Sequence, residues 1–209
     1  MMRIHRYVTH TTAEGPGQRF CLWMQGCCHH CEGCFNPETW SFDGGTEMTG
    51  QQVLEKILAV RNQIEGITLL GGEPFHQARE LAWLCKHVRE AGLSVLAFTG
   101  YTYEALQGRH DPDINALLAQ IDLLLDGPYI QALQDFSRPW VGSSNQRFVY
   151  LTDRYHPAEI AACKNRLEVR LAGDGSLIIN GMAPPEILEN VINTLTQQKA
   201  VQQEKEKNP

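Results

Sequence analysis

Apolar residues along this chain come in two alternating arrangements: short uninterrupted runs, and repeats at three- and four-residue spacing. The run over 20–24 predicts a buried strand that delivers the chain into a group of cysteines. Thr49 then opens a helix, with Gln52 completing a capping box and Val53, Ile57, Val60 and Ile64 recurring at helical spacing until Gly66 ends it. A strand over 67–70 runs at once into Gly71-Gly72-Glu73-Pro74. The next helix turns Leu81, Leu84, Cys85 and Val88 inward and stops at Gly92. Strands over 93–98, 123–125 and 147–151 follow, the first ending in Thr99-Gly100-Tyr101 and the second in Asp126-Gly127-Pro128. Asp111 and Pro112 start a helix between them, with Ile114, Leu117 and Leu118 on its apolar side.

Strands and helices that alternate over short connections imply parallel strands covered by helices. Five strands before residue 155 are too few to close an eightfold barrel. The expected fold is therefore α/β: a partial, open β/α barrel of parallel strands. Beyond about Tyr155 the pattern changes. Segments 167–171 and 177–179 flank Gly173-Asp174-Gly175 and predict a β-hairpin, and Pro184 and Pro185 open a last amphipathic helix on Ile187, Val191 and Leu195. The expected organisation is a core over 1–155, an extension of hairpin and helix over 156–198 packed on it, and a disordered polar tail over 199–209.

A chain of 209 residues is long enough for one well-buried domain and short for two. Its net charge of −6 argues against a general binder of nucleic acid or anionic membrane. No apolar run approaches the length of a membrane span, and residues 1–10 alternate polar and apolar without the long apolar stretch of a signal peptide. A soluble cytoplasmic protein is the expectation. The seven cysteines sharpen the picture. Four of them fall between Cys27 and Cys34, and the odd total argues against a disulfide framework and for metal or redox chemistry. Cys21 and Cys163 are scattered, and Cys85 reads as a small buried hydrophobe.

The cysteine segment reads Cys27-Cys28-His29-His30-Cys31-Glu32-Gly33-Cys34. Cysteine and histidine at these separations can complete a zinc tetrahedron, but structural zinc sites use two separated ligand pairs and no second pair follows. A ferredoxin-like cluster takes four cysteines, and the only late one is Cys163, in a helical pattern. Cys27, Cys31 and Cys34 can instead occupy three iron corners of a cubane and leave the fourth iron open to a chelating ligand. The cysteines, Gly-Gly-Glu, Thr-Gly-Tyr and Asp-Gly-Pro all follow the C-terminal ends of predicted strands, the rim where sites assemble in α/β sheets.

The spacing of Cys27, Cys31 and Cys34, followed by Gly71-Gly72-Glu73 at the end of the next strand, resembles the radical S-adenosylmethionine superfamily. Gly15-Pro16-Gly17-Gln18-Arg19, Trp23-Met24-Gln25-Gly26-Cys27 and Cys34-Phe35-Asn36-Pro37-Glu38-Thr39-Trp40 narrow the resemblance to the anaerobic ribonucleoside-triphosphate reductase activating proteins. Phe98-Thr99-Gly100-Tyr101, Leu125-Asp126-Gly127-Pro128-Tyr129 and Gly142-Ser143-Ser144-Asn145-Gln146-Arg147 extend it to about residue 150.

The resemblance implies a 4Fe–4S cluster on Cys27, Cys31 and Cys34, and S-adenosyl-L-methionine held at its methionine end by Gly71, Gly72 and Glu73. It implies reductive cleavage to methionine and a 5′-deoxyadenosyl radical, which takes a hydrogen atom from a backbone glycine of a partner such as anaerobic ribonucleotide reductase. The electron would come from a donor such as flavodoxin or ferredoxin. Thr99 and Asp126 are candidate contacts to the cofactor or the partner glycine, with a turn or cap role as the alternative. Residues 142–147 are expected near the adenosine or at the closure of the barrel. Cys28, His29 and His30 are not expected ligands. Trp23 and Trp40 are expected to pack around the cluster, and His76 to lie at the surface. The compact activators end soon after the 142–147 segment, so the extension leaves room for a different acceptor, either a small molecule or another protein. A zinc or iron–sulfur interaction module without turnover is the alternative of another class.

Overall fold

The computed structural model describes residues 1–171, 177–184 and 186–195. The expected turn at Gly173-Asp174-Gly175, Pro185 and the tail over 199–209 lie outside the described residues. Strands β1 (Met2–Thr11), β2 (Arg19–Met24), β3 (Thr46–Met48), β4 (Gly66–Gly71), β5 (Ser94–Phe98), β6 (Leu123–Asp126) and β7 (Arg147–Tyr150) form one sheet. Their order is β3-β1-β2-β4-β5-β6-β7. The central strands β2, β4, β5 and β6 are parallel, as the short crossovers predict. The edges are not: β1 and β3 pair antiparallel on one side and β7 on the other.

Seven strands thus replace the expected five, and the added ones, β1 and β3, extend the sheet beyond β2. Residues 2–11 alternate because β1 has one face on the core and the other more open, the mark of an antiparallel strand. The sheet is open, and the described residues form no closed barrel.

Helices α1 (Gly50–Ala59), α2 (Ala78–Glu90), α3 (Tyr103–Gln107) and α4 (Pro112–Leu118) connect the strands. The Thr49–Gln52 capping box starts α1 as expected. The helix ends earlier than its periodicity suggests, because a 3₁₀ turn over Arg61–Gln63 intervenes. Gly66 therefore opens β4 instead of closing α1, and a Cβ there would meet the Ser94 carbonyl of β5 at 2.1 Å. On one face of the sheet Leu22, Leu69, Val95 and Leu124 pack with Val53 and Ile57 of α1 and Leu81 and Leu84 of α2.

The opposite face carries Val8, Cys21, Trp23 and Leu70 at one side, and Leu96, Leu123 and Leu125 at the other. Trp140, Tyr155 and Ile160 of α5 (Pro157–Ala162) cover the latter group. Buried Arg19 ties the sheet to this region by donating to the Thr68, Ser94 and Tyr155 hydroxyls at 2.7, 3.2 and 3.0 Å, which satisfies a charge that burial would otherwise penalise. Strands β8 (Leu167–Leu171) and β9 (Leu177–Gly181) then pair antiparallel, as the hairpin reading expects. Glu168 accepts from the Thr12 amide at 2.8 Å and Glu14 from the Gly181 amide at 2.7 Å, so the hairpin docks on the segment after β1. The last helix, α6, spans 186–195. Val191 and Leu195, expected inward, are half-buried together with Leu188, whereas Ile187, also expected inward, is exposed.

Candidate functional site

The rim of the sheet assembles from two parallel strands in register. Met24 of β2 stands opposite Gly71 of β4, so the cysteine loop and the Gly-Gly-Glu turn leave the sheet side by side. Backbone bonds lace them together: Gly72 N donates to Met24 O at 2.8 Å and Glu73 N to Gly26 O at 2.9 Å. The close approach demands glycine. Gly71 has φ +100, and a Cβ on Gly72 would lie 2.5 Å from Gly26 O. The far side of the cysteine loop is anchored by Gly26 N to Thr39 O (2.8 Å) and Cys27 N to Trp40 O (3.1 Å).

Cys27, Cys31 and Cys34 line one cavity of about 380 Å³, together with Gly71, Gly72 and Glu73. Backbone amides face the sulfurs: those of His29 and His30 toward Cys27, that of Tyr129 toward Cys31, and that of Asn36 toward Cys34 at 3.4 Å. Burial pushes the Cys27 thiol up to about 11 and raises Cys31 as well, with the neighbouring Cys34 adding to the latter. Thiols in such a setting ionise at neutral pH only if a bound cation compensates, as metal ligation does. Among the described residues no three His, Cys, Asp or Glu side chains gather closely enough to hold a single ion. An iron–sulfur cubane spreads its thiolates over separate corners, so a donor set of three spaced, amide-solvated sulfurs fits a cluster.

Cys28 takes a different direction. It is exposed, with Sγ 3.3 Å from His76 Nε2 and 3.5 Å from the Tyr101 hydroxyl. His76 is correspondingly not a free surface residue: its Nε2 also lies 3.1 Å from the Tyr101 hydroxyl. His30 stacks on Trp40 with ring centroids 4.7 Å apart, and Trp23 lines the cavity.

Glu73 is buried, and its carboxylate is the most heavily coordinated group on the rim. It accepts from Phe75 N (3.0 Å), Gly100 N (2.9 Å) and the Thr99 hydroxyl (3.0 Å), and lies 3.2 Å from His29 Nε2. Thr99 thus reaches the cavity but spends its hydroxyl on Glu73. Asp126 is brought to a different place. Wholly buried, it accepts from Tyr103 N at the start of α3 (2.7 Å) and from both Nε and a terminal nitrogen of Arg147, the former at 2.9 Å. It is not among the residues lining the cavity. In the 142–147 segment Gly142 and Gln146 line the cavity, and Gln146 Oε1 accepts from the Gly142 and Ser143 amides at 2.8 and 3.1 Å.

Sequence reasoning did not single out Arg6, Glu14, Trp140 or Asn180, all of which line the same cavity. Their positions carry no spacing signal. They meet only because β1 with the segment after it, the loop before β7, and β9 fold over one face.

A family model described as a 4Fe-4S single cluster domain matches residues 13–149, which takes in every rim residue above and stops short of the hairpin. The chain is 37% identical over 153 residues to the anaerobic ribonucleoside-triphosphate reductase-activating protein of Vibrio cholerae, covering 69% of this chain and 96% of that one. The Escherichia coli K12 protein of the same name is 32% identical over 152 residues, with the same coverage. That of Enterobacteria phage T4 is 34% identical over 147 residues, covering 67% of this chain and 88% of the phage protein. The match takes in nearly the whole of the bacterial relatives and two-thirds of this chain. With three cysteines on one cavity inside the matched region, the chain belongs to the 4Fe-4S single cluster domain family and, within it, with the anaerobic ribonucleoside-triphosphate reductase-activating proteins.

Proposed function

We propose that this chain is a radical S-adenosylmethionine enzyme that activates a glycyl-radical partner, an anaerobic ribonucleotide reductase. The observation that carries the reading is the sharing of one cavity by Cys27, Cys31, Cys34 and the Gly71–Gly72–Glu73 turn. In this reading the three cysteines hold the 4Fe–4S cluster and leave one iron without a protein ligand. When bound, the cluster and S-adenosylmethionine supply an electron, cleavage of the S–C5′ bond and a carbon radical able to take a hydrogen atom from a glycine backbone.

The chain's own residues bind and orient. Gly71 and Gly72 bring backbone close to the ligand because no side chain intervenes. Glu73 accepts the methionine ammonium, and Thr99, Gly100 and Phe75 hold its carboxylate in place beforehand. Amides of His29, His30, Tyr129 and Asn36 donate to the cysteine sulfurs and thereby tune the cluster's potential. Trp23, Leu70 and Phe98 give the cavity an apolar wall that keeps water from a reactive radical. Asp126 acts here by positioning, through the start of α3 and Arg147.

The partner follows from the names of the relatives and the cluster from the family model; cofactor cleavage rests on the cysteine spacing and the Gly-Gly-Glu turn. A flavodoxin- or ferredoxin-type protein is the proposed electron donor. No helix among the described residues is long and apolar enough to cross a membrane, and an oxygen-sensitive cluster suits a reducing compartment, so the cytoplasm is the proposed location.

The test is anaerobic reconstitution with iron and sulfide, reduction with dithionite, and an assay for 5′-deoxyadenosine. Adding the reductase should then produce a glycyl radical by electron paramagnetic resonance. A protein that binds zinc and no cluster would sink the reading. 5′-Deoxyadenosine without a glycyl radical on the reductase would keep the chemistry and remove the partner.

A further inference from the structure

Away from the cysteines, the cavity is walled by the hairpin and α6 through residues such as Leu167, Ile179, Met182 and Leu188. These lie beyond the stretch matched by the family model. Three buried polar atoms that line the cavity, on Arg6, Trp140 and Asn180, lack hydrogen-bond partners, which a close-packed protein interior rarely tolerates.

Arg6 lies with its guanidinium carbon 3.7 Å from the centre of the Trp23 ring, and its terminal nitrogen Nη1 is buried without a hydrogen-bond partner. Trp140 is 3% exposed and its Nε1 is likewise buried and unpartnered. Its backbone sits at φ 61, an unfavourable left-handed value for a bulky residue. Asn180 is 4% exposed; its Nδ2 donates to Thr11 at 2.9 Å and its Oδ1 has no partner. Glu14 is buried beside it, with Oε1 held by the Gly181 amide. The cavity therefore offers two unpaired donors, one of them cationic, and two acceptors, one of them a carboxyl group. An inorganic anion would satisfy only the donors. A zwitterion satisfies both sets.

We infer that this end of the cavity is a binding subsite for a free α-amino acid, with Arg6 and Trp140 donating to its carboxylate, Glu14 and Asn180 accepting from its ammonium, and an apolar side chain against Leu70 and Phe98. A guanidinium stacked on an aromatic ring is pre-oriented for a carboxylate, and the buried, unpartnered Nη1 of half-buried Arg6 gains a charge-assisted hydrogen bond from one. The subsite needs only the cavity as folded, so it stands apart from the radical reading: loss of cofactor cleavage would leave it intact.

The test uses full-length protein with its cluster reconstituted and unreduced, saturated with S-adenosylmethionine, into which each of the twenty proteinogenic amino acids is titrated by calorimetry. The expected result is binding by one or more with apolar side chains, weakened at least tenfold in Arg6→Gln, with iron content and melting temperature as in wild type. Trp140→Phe, which keeps the packing and removes the donor, should weaken it several-fold. No binding by any of the twenty, or equal affinity in Arg6→Gln, overturns the inference. So does weakened S-adenosylmethionine binding in Arg6→Gln with no second ligand, since Arg6 would then belong to the cofactor's own site. Equal binding of a glycine peptide blocked at both ends, with the same dependence on Arg6, also overturns it and assigns the subsite to peptide backbone.

Discussion

The hydroxyl of Thr99 lies 3.0 Å from each carboxylate oxygen of Glu73, so a side chain at the end of β5 orients the acid at the end of β4. One proton shared between two acceptors fixes the plane of the carboxylate as well as its position. If Glu73 receives the methionine ammonium, Thr99 acts through it. Thr99→Val should weaken S-adenosylmethionine binding about tenfold, roughly 1.4 kcal/mol, the worth of one hydrogen bond to a charged group. Iron content should stay at the wild-type level, and Thr99→Ser should restore affinity. Equilibrium binding on reconstituted protein checks this, and an unchanged dissociation constant would refute it.

Cys28 and Cys31 are three residues apart and differ in surroundings. Cys31 lines the cavity, whereas the Cys28 sulfur meets His76 and Tyr101. Cys31→Ser should abolish iron and sulfide binding, because a hydroxyl is a poor iron ligand beside two thiolates. Cys28→Ser should reconstitute to the same brown protein as wild type. Iron and labile sulfide analysis decides it; a colourless Cys28 variant would mean that the ligand set is misassigned.

Asp126 accepts from the α3 start and from Arg147, with no exposure to the cavity. Asp126→Ala should destabilise the fold by about 2 kcal/mol, since it strands the Tyr103 amide and removes a charged partner of Arg147. Denaturant unfolding measures the loss. Should the variant keep wild-type stability and fail to bind S-adenosylmethionine, Asp126 would belong with the binding residues.

Gly72→Ala places a methyl group 2.5 Å from the Gly26 carbonyl, against backbone that cannot rotate away. The two loops must separate to admit it, at about 1–3 kcal/mol, the usual cost of overpacking. A lowered melting temperature together with reduced cluster occupancy is expected. A variant with both unchanged would show that the loops are not held together as described.

Burial pushes the Glu14 carboxyl from its ordinary 4.5 up to about 7, against the opposing pull of the Gly181 amide and Arg6. A folded pKa above the unfolded one means that the folded protein holds the proton more tightly. The favourable contribution is complete below about 4.5 and is lost as pH rises toward 7. The swing is on the order of 3 kcal/mol. Relative to Glu14→Gln, which stays neutral, wild type should therefore lose stability across that window. Denaturant unfolding at a series of pH values gives the difference, and parallel profiles for the two proteins would rule it out.

Much of this was legible in one dimension. The cysteines proposed as ligands lie within eight residues, and a loop of that length is defined by spacing alone. The four parallel strands and the Thr49 and Asp111 helix starts follow from local periodicity and capping, which need no knowledge of distant residues. Even the placement of Gly71–Glu73 beside Cys27 was implied, since consecutive parallel strands bring their C-terminal ends to one rim.

What stayed hidden depends on segments far apart in the chain. The alternation of residues 2–11 states that a strand has two unlike faces, but not that it will pair antiparallel between β2 and β3. His76 finds Cys28 and Tyr101, and Asn180 finds Thr11, only after the sheet has set the register. Arg6, Glu14, Trp140 and Asn180 carry no shared motif, and each looks like an ordinary surface or core residue in its own neighbourhood. The sequence alone determined that three cysteines share one short loop at the end of a strand, because that is a matter of local spacing. The rest of the cavity was decided by the tertiary fold, because burial without a partner arises only when remote elements close over the same space.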